Sequence, residues 1–270
     1  MNSMTERAFG LFIFGDEILS GKRQDRHFEK TREILGARGL ALSWVNYLGD
    51  DRARCVRALR ESFRSGDVVF CCGGIGSTPD DHTRQAAAEA LGCKLVLHPQ
   101  AERLIRERAA ETGQPATVER LRMGEFPSGS AIIPNPYNKI AGFSIHEHYF
   151  VPGFPVMAWP MLEWVLQTYY THLFRSVAEF DRSMIVLDLF EAAVTPLMQT
   201  IAQKYPQFKI YSLPSAGEAG LPRHIELGLK ASGRQDESAP PEAFEQAYLE
   251  FRAGVTALGG QITEERQDRR

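Results

Sequence analysis

Apolar residues in this chain fall into short unbroken runs that alternate with longer segments where they recur every three or four positions. The runs at 8–14 and 68–72 stop at Gly15-Asp16-Glu17 and at Gly73-Gly74, as buried strands do when they reach a turn. Between them, residues 24–37 space Phe28, Ile34 and Leu35 for a core-facing helical stripe, closed by Gly36 and Gly39. Residues 40–48 read as a second strand. Gly49-Asp50-Asp51 opens a further helix carrying Val56, Leu59 and Phe63, and another helix follows the glycine cluster as far as Leu91. Strand and helix alternating at this pace predict a parallel sheet covered on both faces. Ligands of such sheets collect at the carboxyl ends of the strands, so residues 15–17 and 73–78 are expected to face one crevice.

From 100 to 123 the chain reads as a solvated pair of helices in which arginines alternate with glutamates. A strand at 130–133, a turn-rich Pro134-Asn135-Pro136-Tyr137-Asn138 and a hairpin over 141–151 follow, ending in Pro152-Gly153-Phe154-Pro155. The helix expected over 156–174 is crowded with Trp159, Leu162, Trp164, Val165, Leu166 and Tyr169. Beyond it the pattern restarts as a separate unit: strand 184–189, helix 191–205, strands 208–213 and 225–229, a polar linker at 232–241, and a helix bearing Phe244, Tyr248, Phe251 and Val255. The reading is therefore α/β: a three-layer sandwich with a mostly parallel sheet over 1–175, then a small C-terminal α+β domain over 176–270 with a β-α-β-β-α order.

Composition narrows the function classes. In 270 residues, 31 basic side chains against 34 acidic ones give a net charge of −3, which supplies no broad electrostatic case for nucleic acid. Cys55, Cys71, Cys72 and Cys93 show no CxxC spacing and read as reduced core thiols, which points to the cytoplasm. The first seven residues are polar rather than a signal peptide, and no run approaches a membrane-spanning length. His146-Glu147-His148 has alternate residues on one strand face, but no third ligand lies near it at metal spacing.

The chemistry concentrates in Gly73-Gly74-Ile75-Gly76-Ser77-Thr78-Pro79-Asp80-Asp81-His82-Thr83. Thr78 is expected as a helix N-cap, Pro79 at the first helical position and Asp80 and Asp81 in the first turn. A strand, a glycine turn and a helix start together form an anion site, because bare amides and the helix dipole favour phosphate. Two carboxylates beside a phosphate repel it unless a divalent cation sits between them, which assigns Asp80 and Asp81 to Mg2+ and to catalysis. Pro79 stands where a dinucleotide fingerprint needs its third glycine, and no Gly-Lys-Ser/Thr follows for a P-loop.

These motifs, in the order Gly15-Asp16-Glu17-Ile18-Leu19, Gly49-Asp50-Asp51, Gly73 to Thr83, Asn135-Pro136 and Pro152-Gly153-Phe154-Pro155, resemble the molybdopterin-binding (MoCF) family. The likeness covers roughly 8–170 and is nearest to the branch containing the amino-terminal domain of competence/damage-inducible protein A. It implies a cavity lined by Gly15, Asp16, Glu17, Gly73, Gly74, Gly76, Ser77 and Thr78, with Asn135, Pro136 and Gly153 on its other loops. It also implies molybdopterin or an adenine nucleotide as ligand, and a KH-type C-terminal domain. Three departures stand out: Asp25-Arg26-His27 where the pattern has an Asn, Asn138 where an NPxG motif has glycine, and Val156-Met157 in place of Ser-Glu. The chain to 270 leaves no room for the nicotinamide-nucleotide deamidase domain of full-length competence proteins.

Three functions stay open on this reading. One is a binding protein for a pterin or nucleotide phosphate, acting with Mg2+ in adenylyl chemistry of molybdenum cofactor biosynthesis. The second is an ADP-ribose-type pyrophosphatase, and the third a non-catalytic regulatory or assembly protein. Trp159, Trp164, Tyr169, Tyr170 and Phe174 fall on more than one side of a helix, and this predicts that they meet either the C-terminal domain or a second subunit of a homo-oligomer.

Overall fold

The computed structural model describes residues 7–174, 177–217, 222–234 and 242–269. The chain divides into two compact units, Met1–Phe174 and Arg175–Arg270. The first is built on β1 (Phe9–Phe14), β2 (Leu42–Leu48) and β3 (Val68–Cys72), with α1 (Asp16–Leu19), α2 (His27–Gly36) and α3 (Arg52–Ser62) between them. It continues with α4 (Thr83–Leu91), β4 (Leu95–Leu97), α5 (Pro99–Glu111), α6 (Val118–Arg122), β5 (Glu125–Pro127), β6 (Ala131–Ile133), β7 (Gly142–Ile145), β8 (His148–Val151) and α7 (Pro155–Tyr169). The six-stranded sheet runs β2-β1-β3-β8-β7-β6. Its β2, β1, β3 and β8 are mutually parallel; β7 runs against them, and the edge strand β6, antiparallel to β7, again runs with them.

Alternation along the central strands separates two cores. Phe9, Leu11 and Ile13 of β1 and Val68, Phe70 and Cys72 of β3 face one layer, where Ile34 and Leu35 of α2 meet Ala158, Met161, Leu162 and Val165 of α7. Phe12, Phe14, Val69 and Cys71 face the other, against Cys55, Val56 and Leu59 of α3, Ala86 and Ala87 of α4, and the stacked rings of Phe126, Phe143 and Phe150. Both faces of β1 and β3 are buried, which is why their sequences are continuous apolar runs. The parallel sheet with helices on both faces is the architecture expected from the alternation.

Several elements differ from the sequence reading. The ribbon of β4 and β5 falls just outside the helical segment read at 100–123, in stretches to which the sequence reading gave no element; it brackets α5 and α6, whose arginines pair along the helix surface, as Arg106 does with Glu102 at 2.7 Å. The hairpin between β7 and β8 turns on His146 and Glu147, both with positive φ (49° and 59°), a turn type that glycine and asparagine normally fill. His148 is buried, with Nε2 2.8 Å from Ser62 Oγ and Nδ1 2.8 Å from the His146 carbonyl, so neither ring nitrogen is left for a metal. Burial pushes its pKa down to about 4, and the ring is neutral.

The aromatics of α7 find partners inside the first unit. Tyr170 is 2 % exposed and hydrogen-bonds Tyr149 and Glu147, while Trp159, Trp164 and Phe174 pack against the same core. Arg26 and Lys30 of the α2 region lie over the Trp159 ring at 5.6 and 5.7 Å. The crowding that suggested another domain or subunit is thus largely accounted for by α2 and the sheet.

The second unit carries β9 (Val177–Leu187), α8 (Glu191–Lys204), β10 (Lys209–Ser215), β11 (His224–Arg234), α9 (Glu242–Ala257) and β12 (Gln261–Arg269). Its antiparallel sheet runs β10-β11-β9-β12, over a core of Phe180, Met184, Leu227, Phe244, Tyr248 and Phe251. β12 was not anticipated, because Gln261–Arg269 is almost entirely polar and reads as a tail; it pairs along β9 as an edge strand. The resulting β-α-β-β-α-β order is the split β-α-β arrangement, and it describes the unit better than the KH-type label. Most of the polar linker read at 232–241 lies outside the described residues.

One glycine in β1 tests the register. Gly10 pairs with Trp44, and a β-carbon at Gly10 would lie 2.1 Å from the indole, which is itself tied by Nε1 to Asp67 at 2.9 Å. Gly10→Val is expected to lower stability by about 1–3 kcal/mol, the usual range for overpacking. A denaturant midpoint unchanged from wild type would show that Trp44 does not cover this position.

Candidate functional site

The carboxyl ends of β1, β2, β3 and β8 open into one cavity of about 490 Å3. Gly15 and Glu17 line it from β1, Asp50 from β2, residues 73–78 with Asp80 and Asp81 from β3, and Pro152, Gly153 and Phe154 from β8. Met123, Asn138, Ile140 and Met157 complete an apolar side, and Arg23 is the one basic residue in the lining.

The loop after β3 cannot carry side chains at its first two positions. Gly73 has φ 104°, and a β-carbon there would meet the Phe14 carbonyl at 2.6 Å; Gly74 has φ 69°, and one there would lie 2.0 Å from Thr83 Oγ1. The Thr83 amide donates to the Gly74 carbonyl at 3.0 Å and closes the loop. Within it the amides of Gly74, Ile75, Gly76 and Ser77 donate to no acceptor among the described residues. Four consecutive unused amides in a glycine-bent loop are donors available to an anion, since unpaired backbone N–H groups need a partner or water.

The helix after this loop starts later than its sequence suggests. α4 begins at Thr83 with His82 at the N-cap, so Thr78, Pro79, Asp80 and Asp81 form a turn rather than a first helical turn. The cause is Asp81, whose Oδ2 accepts from the Thr78 amide and hydroxyl and tightens the turn before the helix can begin. Asp81 therefore braces the loop while lining the cavity. Asp80 is exposed on the rim.

Asp16 is not part of the cavity lining. Its Oδ1 accepts from the Asp50 amide at 3.2 Å and its own amide donates to Asp50 Oδ2 at 2.9 Å, a reciprocal clasp of the loops after β1 and β2. Asn135 and Pro136 also stand outside the cavity. Buried Asn135 knots its own loop, donating through Nδ2 to Asn138 Oδ1 at 2.8 Å and to the Ile140 carbonyl at 2.9 Å, which leaves Asn138 and Ile140 to face the cavity. The left-handed residue of that loop is Lys139, φ 64°, and not Asn138.

The Asp25-Arg26-His27 departure has a structural use. Asp25 accepts from the amides of His27 and Phe28 at 2.7 and 3.1 Å, starting α2, and from the Tyr47 hydroxyl at 2.8 Å. His27 reaches the Gly153 carbonyl at 3.1 Å through Nε2 and so holds the β8 loop, whose Gly153 packs on Gly73. Burial lowers the His27 pKa, which keeps the ring neutral and Nε2 the donor.

Of the residues singled out from the sequence, the structure brings Gly15, Glu17, the glycine loop, Asp80, Asp81 and Gly153 to one cavity, which Asp50, Arg23, Phe154 and an apolar side also line though the sequence reading gave them no part in it. Asp50 was legible as the residue after the second strand. The others sit at positions with no pattern of their own. Among the described residues no three His, Cys, Asp or Glu side chains are gathered closely enough to hold a metal by themselves. Mg2+ binds through one or two carboxylates, waters and a substrate phosphate; of the pair expected from the sequence Asp81 is engaged with Thr78, so Asp80, together with Asp50 of the same lining, could hold a cation brought in with the ligand.

Comparison with known proteins identifies the family and supports the fold of the first unit. Residues 10–172 match the MoCF_biosynth family, described as a probable molybdopterin binding domain. A protein of Pyrobaculum calidifontis is 29 % identical over 237 residues, covering 85 % of this chain and 88 % of its own length. A CinA-like protein of Anaeromyxobacter sp. is 34 % identical over 146 residues, covering 53 % of this chain and 36 % of its own length. The crystal structure of CinA, a protein of unknown function from Thermoplasma acidophilum, superposes with a TM-score of 0.54 at 24 % identity, over 60 % of this chain and 96 % of that one.

Burial pushes the Asp50 carboxyl above its ordinary range; the Asp16 amide opposes this, and the charges of Asp16, Glu17 and Asp80 add to the rise. Between the ordinary and the raised pKa the folded state holds more protons than the unfolded chain, so stability is lost as pH rises through that window. Asp50→Asn, which keeps an acceptor for Asp16, is expected to melt higher than wild type at pH 7, with the difference vanishing below the carboxylate range. A variant that melts lower at pH 7 would contradict a strained Asp50 charge.

Proposed function

The chain belongs to the family of probable molybdopterin-binding domains, and from that membership we propose that its cavity binds a phosphorylated pterin or adenine nucleotide. The observation that carries the reading is the run of four unused amides at residues 74–77, in the lining of a cavity that also offers an apolar side. The amides suit a phosphate, and Ile18, Met123, Ile140, Phe154 and Met157 suit a flat heterocycle. Glu17, Asp50, Asp80 and Asp81 outnumber Arg23 in the lining, so a dianion needs a cation to offset their charge. Asp80 and Asp50 would be the residues to hold Mg2+ there, and the ion would supply the charge that offsets theirs and the phosphate's. Asp81 serves mainly to brace the loop. The role lies in molybdenum cofactor biosynthesis, and a homo-oligomer in the cytoplasm is its expected form.

A second reading rests on the same carboxylates. With Mg2+ bound, a rim acid such as Glu17 or Asp50 can orient a water for attack on a pyrophosphate phosphorus. The bridging P–O bond then breaks, and an ADP-ribose-type substrate leaves as two phosphate monoesters. A protein that keeps the binding fold without turnover is the outcome left when this step fails.

Calorimetric titration of the intact chain with molybdopterin, AMP and ADP-ribose, each with and without Mg2+, tests the reading. At least one ligand is expected to bind more tightly than millimolar, and Gly74→Ala to weaken it by tenfold or more. Asp80→Asn should remove the Mg2+-dependent part of the affinity while leaving the rest. No binding by any of the three ligands overturns the proposal, and equal affinity with and without Mg2+ removes the cation from it. Release of AMP from ADP-ribose, lost in Asp50→Asn or Glu17→Gln, separates the second reading from simple binding.

A further inference from the structure

Arg84, the second residue of α4, is 3 % exposed and lies behind the glycine loop, outside the cavity lining. Its guanidinium donates through Nη2 to the Gly76 carbonyl and through Nη1 to the Arg122 carbonyl, and Nε has no partner. Among the described residues it forms no ion pair; Asp81 and Glu125 are the nearest charges acting on it. A buried cation whose hydrogen bonds go to carbonyl oxygens, with carboxylates acting only from beyond ion-pair distance, is neutralised only in part.

The position of that charge bears on the loop. A trans peptide sets its C=O and N–H on opposite sides, so the Gly76 carbonyl drawn back to Arg84 turns the Ser77 amide the other way. The Ser77 amide is one of the four that donate to nothing among the described residues. Arg122 precedes Met123 of the cavity wall, so the same side chain joins the loop to that wall. The lining itself is acid-rich, and a buried cation behind the amides is the feature that favours an anion there without touching it.

We propose that Arg84 is the positioning residue of a phosphate subsite, orienting the Gly76–Ser77 peptide and supplying a buried positive charge that a phosphate on the loop amides neutralises. The proposal rests on reading the cavity as a phosphate site. It names no contact between Arg84 and the ligand. Its consequence is selective: Arg84 governs affinity for the charged part of a ligand and is indifferent to the heterocycle.

The test compares AMP with adenosine, titrated into the intact chain at one fixed Mg2+ concentration. Wild type is expected to prefer AMP by tenfold or more. Arg84→Met should lose most of that preference with adenosine affinity unchanged, while Arg84→Lys, which keeps the charge, should retain most of it. Parallel losses for both ligands in Arg84→Met would mark a merely structural residue and overturn the proposal, as would an unchanged preference. If Arg84→Met does not fold, the phosphorus NMR titration of AMP bound to the Arg23→Gln protein decides instead. The phosphate must then titrate below its free pKa of about 6 despite the acidic lining, and an unmoved or raised value overturns the proposal. Failure of wild type to bind AMP, ADP-ribose or molybdopterin at all would sink the functional reading itself, a result distinct from binding that ignores Arg84.

Discussion

The approach of two strand ends governs the first unit. β1 and β3 pair side by side, and Gly73 passes so close to the Phe14 carbonyl that only a residue without a β-carbon fits. Gly74 then passes equally close to Thr83, which fixes where α4 starts. From these two contacts follow the bend of the loop, the exposure of its amides and the position of Asp81 over Gly76. Gly153 packs on Gly73 from the next parallel strand, so the third wall of the cavity is set by the same approach. A displacement at this point would propagate to every loop that meets the cavity.

Electrostatics and packing pull in different directions at the site. Asp16 and Asp50 clasp two loops through each other's amides, an arrangement that places two carboxylates beside Glu17 and Asp80. Such clustering opposes the ionisation of Asp50. Behind the loop the imbalance is reversed, because the Arg84 guanidinium is surrounded by carbonyls. The cavity is thus negative at its rim and positive behind its floor. The ligand proposed above, a phosphate carried with a divalent cation, would match both ends of that gradient, whereas either ion alone would match one.

Much of this was legible in the sequence, for identifiable reasons. Continuous apolar runs mark β1 and β3 because both faces of each are buried, and their terminating glycines mark the loops that meet at the cavity. The start of α4 was misplaced because Thr78-Pro79-Asp80-Asp81 carries every local signal of a helix N-terminus, and a side-chain bond from Asp81 back to Thr78 overrides them. Asp16 reads as a ligand group by its place after β1, yet its partner lies 34 residues away in sequence and cannot be inferred locally. β12 escaped because an edge strand with water on its outer side needs no apolar alternation. Arg84 carries no sequence signal at all, since an arginine in a helix is ordinarily solvated.

The adjacent cysteines at the end of β3 have a use that follows from the pleat. Cys71 belongs to the core under α3 and α4, and Cys72 to the core under α2 and α7, although they are neighbours in the chain. Both are fully shielded, and burial raises both thiols far above the range where they react. Each thiol can therefore be modified only when its own layer opens. The rates at which the two sulfurs are labelled report separately on the breathing of the two sides of one sheet, from a single strand and without any introduced probe.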